Sequence, residues 1–504
     1  MRGVVSAGDE NSARAGAWIL EEGGNAYDGA IAVMLAAPIC EPLFTSLGGG
    51  GFLLGLQKGT KPSIYDFFVQ VPPNRIKNPE FYPVDVDFGS AVQEFHIGAG
   101  SVAIPGMVEG IYQVYKDRCS LPLSELIKPA VKYAREGIYL SSMQADFIKL
   151  LKPMFLSTPK SRELYGKDGC LIDENHLFTN DEYANFLEEF AKEGSRLFYE
   201  GEVAKEIEKI SKEHNGLIYR EDLQKYRCIK RDPIKLDFKN YKIFTNPPPS
   251  GGGMLIAFTL KLLEQYDLKS FRSYEYIKGL LEAFHVTGEF RAQRINEFLH
   301  EEGLKEILSD EELIRNYTLD LNSKINYWGN TTHLCVIDKD ENAVSATTTN
   351  GEGCGHIIGN CGILLNNMMG EEDLNPHGFF AWKEGLRLPS MMAPTAVLEN
   401  GHPKLILGSA GSNRIRSAIV ETIIKNIIYG YDLQKSINSP RIHFEKGTAC
   451  LEAPCDEKIL KEIKKHYKLN YFEELNLFFG GVQAVDGNLD GGFDTRRGAA
   501  TIRV

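Results

Sequence analysis

The sequence predicts a single layered α/β structure, and three observations carry that prediction. From residue 331 onward the chain becomes β-branched and alternating, the pattern of paired strands. Before that point, apolar residues recur at helical spacing over long stretches. No repeat, low-complexity tract or flexible linker divides the two textures, so strands and helices are expected to share one core. A chain of 504 residues can bury such a core without disulfide or metal staples.

The elements follow in order. Val4-Val5 reads as a short strand. A helix over 11–22 stops at Gly23-Gly24-Asn25, residues that tolerate the left-handed turn past a helix end. A second helix over 30–37 is Ala-rich and apolar on nearly every face, and must be buried. Gly48-Gly49-Gly50-Gly51 then reads as a tight crossing of buried elements. Residues 141–214 are polar with alternating Lys and Glu, which predicts a solvated helical subdomain. A strand over 241–244 ends in Pro247-Pro248-Pro249-Ser250-Gly251-Gly252-Gly253, an abrupt turn. Ile277, Leu280, Leu281 and Phe284 mark one face of the long helix that follows. In the last third, strands are expected over 331–338, 343–349, 362–365, 395–398 and 405–407. A turn is expected over 338–342, and a helix over 415–429.

Composition limits function. Sixty-eight acidic against 56 basic side chains give a formal charge of −12, which disfavours a nucleic-acid or anionic-membrane partner. Charged residues at 25% and hydrophobics at 43% exclude a mainly disordered chain. The nine cysteines are scattered without C-x-x-C, the usage of a reducing compartment. Residues 1–6 lack an apolar signal core, and the longest apolar run, 30–40, is about half the length of a membrane helix. A cytoplasmic protein is expected.

Several motifs can be set aside. The four glycines lack the Lys-Ser/Thr of a phosphate loop, and no Gly-x-Gly-x-x-Gly follows a first strand, so no nucleotide is indicated. Cys354, His356 and Cys361 do not have a zinc spacing. There is no Gly-x-Ser-x-Gly or His-Glu-x-x-His. No cofactor and no metal are expected. Eleven histidines leave a Ser-His-Asp triad formally open, with nothing to pick one out.

There remains Asn330-Thr331-Thr332-His333, which strand propensity alone would explain. Together with Val336-Ile337-Asp338-Lys339-Asp340, Asn342-Ala343-Val344-Ser345 and Thr349, it resembles the start of the small subunit of γ-glutamyltranspeptidases. Similar stretches fall in family order. They are Glu22-Gly23-Gly24-Asn25-Ala26-Tyr27-Asp28, Glu41-Pro42, Gly48 to Phe52, Pro105-Gly106 and Pro247 to Gly252. Later come Gly362-Ile363-Leu364-Leu365-Asn366-Asn367, Leu407-Gly408-Ser409-Ala410-Gly411 and Ser439-Pro440-Arg441.

The resemblance implies an α+β fold, the four-layer αββα sandwich of N-terminal-nucleophile hydrolases. It implies a precursor that cuts itself between Asn330 and Thr331. A heavy segment 1–330 and a light segment 331–504 would then stay associated as one interleaved domain. The freed α-amine of Thr331 would serve as base for its own hydroxyl. Thr349 matches the threonine that hydrogen-bonds the nucleophile. Gly411 and Ser412 match a Gly-Gly pair whose N–H groups form the oxyanion hole, with serine in the second place. Glu371 matches an aspartate that holds the substrate α-amine, and Ser390 the first of two serines that grip its α-carboxylate. The second serine is Met391. The family asparagine two residues past Thr349 is Gly351, unless Asn350 supplies it. Phe68 stands where the family carries the arginine that clamps the carboxylate.

The implied activity is hydrolysis or transfer of a γ-glutamyl group from glutathione-type substrates. The alternatives are an acylase for a non-glutamyl amide and a catalytically weak binding homologue. The expected partner is a small amide or peptide, and a homo-oligomer is left open.

Overall fold

The computed structural model describes residues 1–73, 76–87, 92–167, 170–266, 268, 270–295, 299–300, 304–309 and 330–504. Two sheets form the centre. The first contains β1 (Gly3–Ala7), β2 (Gly50–Leu56), β3 (Ser63–Phe67), β4 (Ile229–Arg231), β7 (Thr332–Asp338), β8 (Ala343–Thr349) and β13 (Ala500–Arg503), in the order β4-β3-β2-β8-β7-β1-β13. The second contains β5 (Ile234–Phe238), β6 (Tyr241–Thr245), β9 (Thr395–Glu399), β10 (His402–Ala410), β11 (Gly481–Val485) and β12 (Gly491–Phe493), in chain order. Neighbours within both sheets pair antiparallel.

β7 and β8 pack on β10, so the sheets lie face to face. That is why β7 and β8 are buried along their whole length: one face meets the second sheet and the other meets helices. Helices α1 (Glu10–Glu21) and α2 (Ala26–Cys40) cover the first sheet, while α3 (Gly251–Leu263) and α5 (Ile415–Ile427) cover the second. The layers are helix, sheet, sheet, helix, as expected.

Local chemistry accounts for the boundaries. Asp9 caps α1 through the Asn11 amide, and Asn25 with Asp28 forms a reciprocal capping box on α2. This box starts α2 at Ala26, ahead of the apolar run, and the helix accommodates Pro38 near its end. The Gly48–Gly51 run is a close crossing: a Cβ on Gly49 would stand 2.1 Å from the Thr349 carbonyl oxygen, and one on Gly48 2.2 Å from that of Leu364. The strand expected over 362–365 shrinks to the Ile363–Leu364 pair, while β10 extends well beyond 405–407.

The described residues between 142 and 213 are mainly helical and solvated on one side. Their inner face is joined to the main core, with the Tyr183 hydroxyl on the Leu35 carbonyl and Gln144 Nε2 on that of Cys40. No helix among the described residues is long and apolar enough to cross a membrane.

Candidate active site

Strand ends from both sheets converge at one end of the sandwich. Thr331 precedes β7 and Thr349 closes β8, and the pairing of Thr332 with Thr348 sets them side by side. Gly50 pairs with Thr349 from the other edge. In the second sheet β10 ends at Ala410, where Gly411 takes a φ of 117° and Ser412 a φ of 51°. The left-handed backbone at Ser412 explains why glycine suits this position; serine holds it at a cost of about 1 kcal/mol.

Asn330, Thr331 and Thr349 are buried. Thr349 Oγ1 donates to the carbonyl oxygen of Asn330 and accepts from the Gly351 amide at 3.1 Å. The Thr331 carbonyl accepts from Arg497 Nη1 at 3.4 Å. Behind them, Thr332 Oγ1 donates to Glu41 Oε2 at 2.5 Å and Ser12 Oγ to Glu41 Oε1 at 2.8 Å. Burial, and then the neighbouring Asp9, pushes Glu41 up to about 7 against those two hydrogen bonds. These contacts pin the residue after Thr331 and the carbonyl of Thr331 itself, leaving its side chain at a cleft.

The cleft opens to solvent, and Thr331, Thr349, Asn330, Phe68, Glu371, Ser390 and Ser412 all line it. Asn350 is not among the lining residues: its Nδ2 donates to the Leu365 carbonyl at 3.4 Å, while its Oδ1 has no partner among the described residues. Gly411 also lies outside the lining, beneath Ser412 and against Gly480. Ser390 Oγ accepts from the Met392 amide at 3.0 Å, and Met391 lies beside it on the wall. Phe68 is fully buried and stacks on Phe52 at 5.3 Å, completing an apolar wall with Phe95, Leu374 and Trp382.

Charge is divided between two sides. Glu371 and Asp373 line the cleft, and the buried Glu352 stands behind them. Ser412 Oγ donates to Asp373 Oδ2 at 2.8 Å. Burial, with Asp373 adding, raises Glu352 to about 8; burial, Glu352 and Asp373 together hold Glu371 well above the usual carboxylate range. Among the described residues, Glu371 Oε1 and Glu352 Oε2 are buried without a hydrogen-bond partner. Ionisation of these crowded carboxyl groups is favoured when a cation is brought beside them.

The opposite charge comes from a residue the sequence did not single out. Arg291 follows helix α4 (Tyr274–Phe290), lines the cleft, and donates from Nη1 to Asn413 Oδ1 at 2.6 Å. Its Nε is buried and has no partner among the described residues. Arg387 is occupied elsewhere, with Nη1 on Gln70 Oε1 and the guanidinium 4.3 Å from the Tyr226 ring. Arg414 donates to the Phe478 carbonyl. Neither lines the cleft.

Glu41, Glu352, Arg291 and Arg497 thus surround the Thr331 junction, and the sequence reading gave none of them a role. Only Glu41 stood within a family-like stretch, and that was its one available signal. Gly351 explains a departure. With φ at 60°, a Cβ there would stand 2.3 Å from both Glu371 Oε1 and Asn367 Oδ1. The longer acid occupies the space that a side chain at 351 would need.

Comparison with known proteins agrees with this geometry. Residues 12–503 match the family described as gamma-glutamyltranspeptidase. The glutathione hydrolase proenzyme of Escherichia coli strain K12 is 29% identical over 88% of this chain and 81% of its own. The acylase ACY 1 proenzyme of Pseudomonas sp. strain V22 is 27% identical over 100% of this chain and 92% of its own. In fold, a cephalosporin acylase from Bacillus halodurans superposes with a TM-score of 0.83 at 21% identity, covering 99% of this chain and 95% of that one. The chain belongs to the gamma-glutamyltranspeptidase family, and its fold is that of the N-terminal-nucleophile amidases.

Proposed function

We propose that this protein is a self-processing amidase whose nucleophile is Thr331 and whose acyl donors carry both an amine and an anionic group. The observation that carries the reading is the hydrogen bond from Thr349 Oγ1 to the Asn330 carbonyl, the carbonyl of the bond to be cut. In the precursor, Thr331 Oγ attacks that carbonyl carbon and negative charge develops on the oxygen that Thr349 already holds. The C–N bond breaks, the departing nitrogen takes up the proton that Thr331 Oγ gives away and becomes the α-amine, and an ester to Thr331 Oγ forms. Water hydrolyses the ester, leaving the Asn330 carboxylate and a free α-amine on Thr331.

That amine, with an ordinary pKa of about 7.7–8, then serves as general base for the hydroxyl on the same residue. Thr331 Oγ attacks the substrate amide, the leaving amine takes the proton, and the acyl-enzyme ester passes its acyl group to water or to a second amine. Gly411 and Ser412 stand at the end of β10, where main-chain N–H groups can meet the oxyanion. Segments 1–330 and 331–504 remain one body, since β7 and β8 lie between β1 and β2.

For the donor, Glu371 with Glu352 and Asp373 suits an ammonium group, and Arg291 suits a carboxylate. A γ-glutamyl group has both, which favours glutathione-type substrates of the kind named for the Escherichia coli relative. The second reading, an acylase for a non-glutamyl amide, is favoured by Phe68: an apolar ring fills the expected place of the carboxylate clamp. We also place the protein in a reducing compartment, a reading supported by nine free cysteines, several of them buried. Intact-mass measurement of the purified chain, followed by hydrolysis of a γ-glutamyl anilide beside other aminoacyl anilides, tests the proposal. A chain that stays uncut and inactive would overturn it.

A further inference from the structure

His356 was set aside with Cys354 and Cys361 because their spacing does not fit a metal. His356 instead meets two side chains from distant parts of the chain. Its Nε2 lies 2.7 Å from Glu80 Oε2, and His214 Nδ1 lies 3.6 Å from Glu80 Oε1. The two imidazole rings are tilted 53° to each other with centroids 4.6 Å apart, and one ligand atom from each of the three residues lies within 4.8 Å of the others.

We propose that Glu80, His214 and His356 form a binding site for a divalent transition metal of the zinc type, separate from the Thr331 cleft. Two imidazoles and a carboxylate are a donor set that zinc accepts with a water in the fourth place. In a tetrahedral site with bonds of about 2.0–2.1 Å, donor atoms stand about 3.3 Å apart. Two donor separations, 2.7 Å to Glu80 Oε2 and 3.6 Å to Glu80 Oε1, lie on either side of that value, and all three ligand atoms lie within 4.8 Å of one another, so side-chain rotation has to draw them together around the ion. The carboxylate is already oriented, since the Ala99 amide donates to Glu80 Oε2 at 2.8 Å, the kind of outer bond that holds a metal ligand in place. Burial is graded across the site, with His356 buried, Glu80 half-buried and His214 exposed, which gives an ion a path in from solvent.

The three ligands come from three places. Glu80 precedes the strand Tyr82–Asp87, which pairs antiparallel with Val92–Ile97, whose Phe95 lines the cleft; His214 ends the helix Glu202–Glu213; His356 follows β8. An ion here ties the helical region to the core. If the cut before Thr331 occurs, as proposed above, it also bridges the two resulting segments. Binding itself does not depend on that cut.

The test is equilibrium dialysis of the full chain against buffered Zn²⁺, with metal counted by mass spectrometry, and the thermal midpoint followed in parallel. The expected result is one Zn²⁺ per chain at a dissociation constant below about 10 µM, with a raised midpoint. His214→Ala removes an exposed side chain and should leave the fold intact while weakening binding at least about tenfold; Glu80→Gln should do the same. No stoichiometric uptake by the wild type, or uptake unchanged in both variants, would overturn the proposal. Anilide hydrolysis by His214→Ala keeps the two readings apart: retained activity with lost zinc supports the site without bearing on Thr331.

Discussion

Thr349 Oγ1 donates a hydrogen bond to the carbonyl oxygen of Asn330, nineteen residues away in sequence and adjacent across the β7–β8 ladder. Because that oxygen would carry the charge of the self-cleavage transition state, losing the donor should be felt in processing first. Thr349→Val is expected to slow processing by about 10²–10³-fold while leaving the fold intact. Thr331→Ala should stay uncut, and Thr331→Ser should cut and retain some turnover. Denaturing electrophoresis over a time course reads all three; normal processing in Thr349→Val would remove this hydrogen bond from the mechanism.

Gly351 and Glu371 should behave as a coupled pair. Gly351→Asn keeps the left-handed backbone within the tolerance of asparagine but drives its side chain against the Glu371 carboxylate. The single change is expected to raise KM for an amine-bearing donor several-fold. Adding Glu371→Asp, which shortens the acid by a methylene, should recover most of the loss. A double-mutant cycle on kcat/KM measures the coupling; strict additivity would contradict the shared space.

Arg291 and Phe68 divide the question of the carboxylate. If Arg291 holds the anionic end of the donor, Arg291→Gln should lower kcat/KM for a γ-glutamyl anilide by about 10- to 150-fold, the loss of one charge-assisted bond. It should hardly affect the analogue lacking the α-carboxylate. Phe68→Arg should improve the carboxylated substrate only if the clamp lies on the Phe68 wall. Equal effects on both substrates in Arg291→Gln would assign Arg291 to structure alone and favour the acylase reading.

The buried acids make a prediction about pH. Glu352 is raised in the folded protein from 4.5 to about 8, so the fold holds its proton more tightly than the unfolded chain does. The stabilisation this brings is fully present below about pH 4.5 and is lost as pH rises toward 8. Glu41, raised to about 7, adds to the same decline over a narrower window. Glu352→Gln has no proton to lose there. It should flatten the fall in stability and exceed the wild type by more than about 1 kcal/mol at pH 8.5 relative to pH 5. Denaturant melts at the two pH values decide it; an unchanged slope would place the linkage on other groups.

By itself the sequence determined the secondary structure that frames the site. The β-branched alternation after residue 331, the capped helix at Glu10–Glu21 and the apolar face of α4 are short-range patterns, set by backbone propensity and spacing that can be read along the chain. The ordered family-like stretches fixed the larger fold and put Thr331 and Thr349 together, as the ladder does. Tertiary structure decided which charges face the cleft. Arg291 reaches it from the end of a helix, and Glu41 meets Thr332 across 291 positions of sequence. Asn350 donates its amide to the Leu365 carbonyl, whereas Gly351 yields space to Glu371. A side chain at a strand end or loop has no periodicity to reveal its direction. It points where packing and hydrogen-bond partners from remote segments leave room, and those partners exist only once the two sheets have closed on each other.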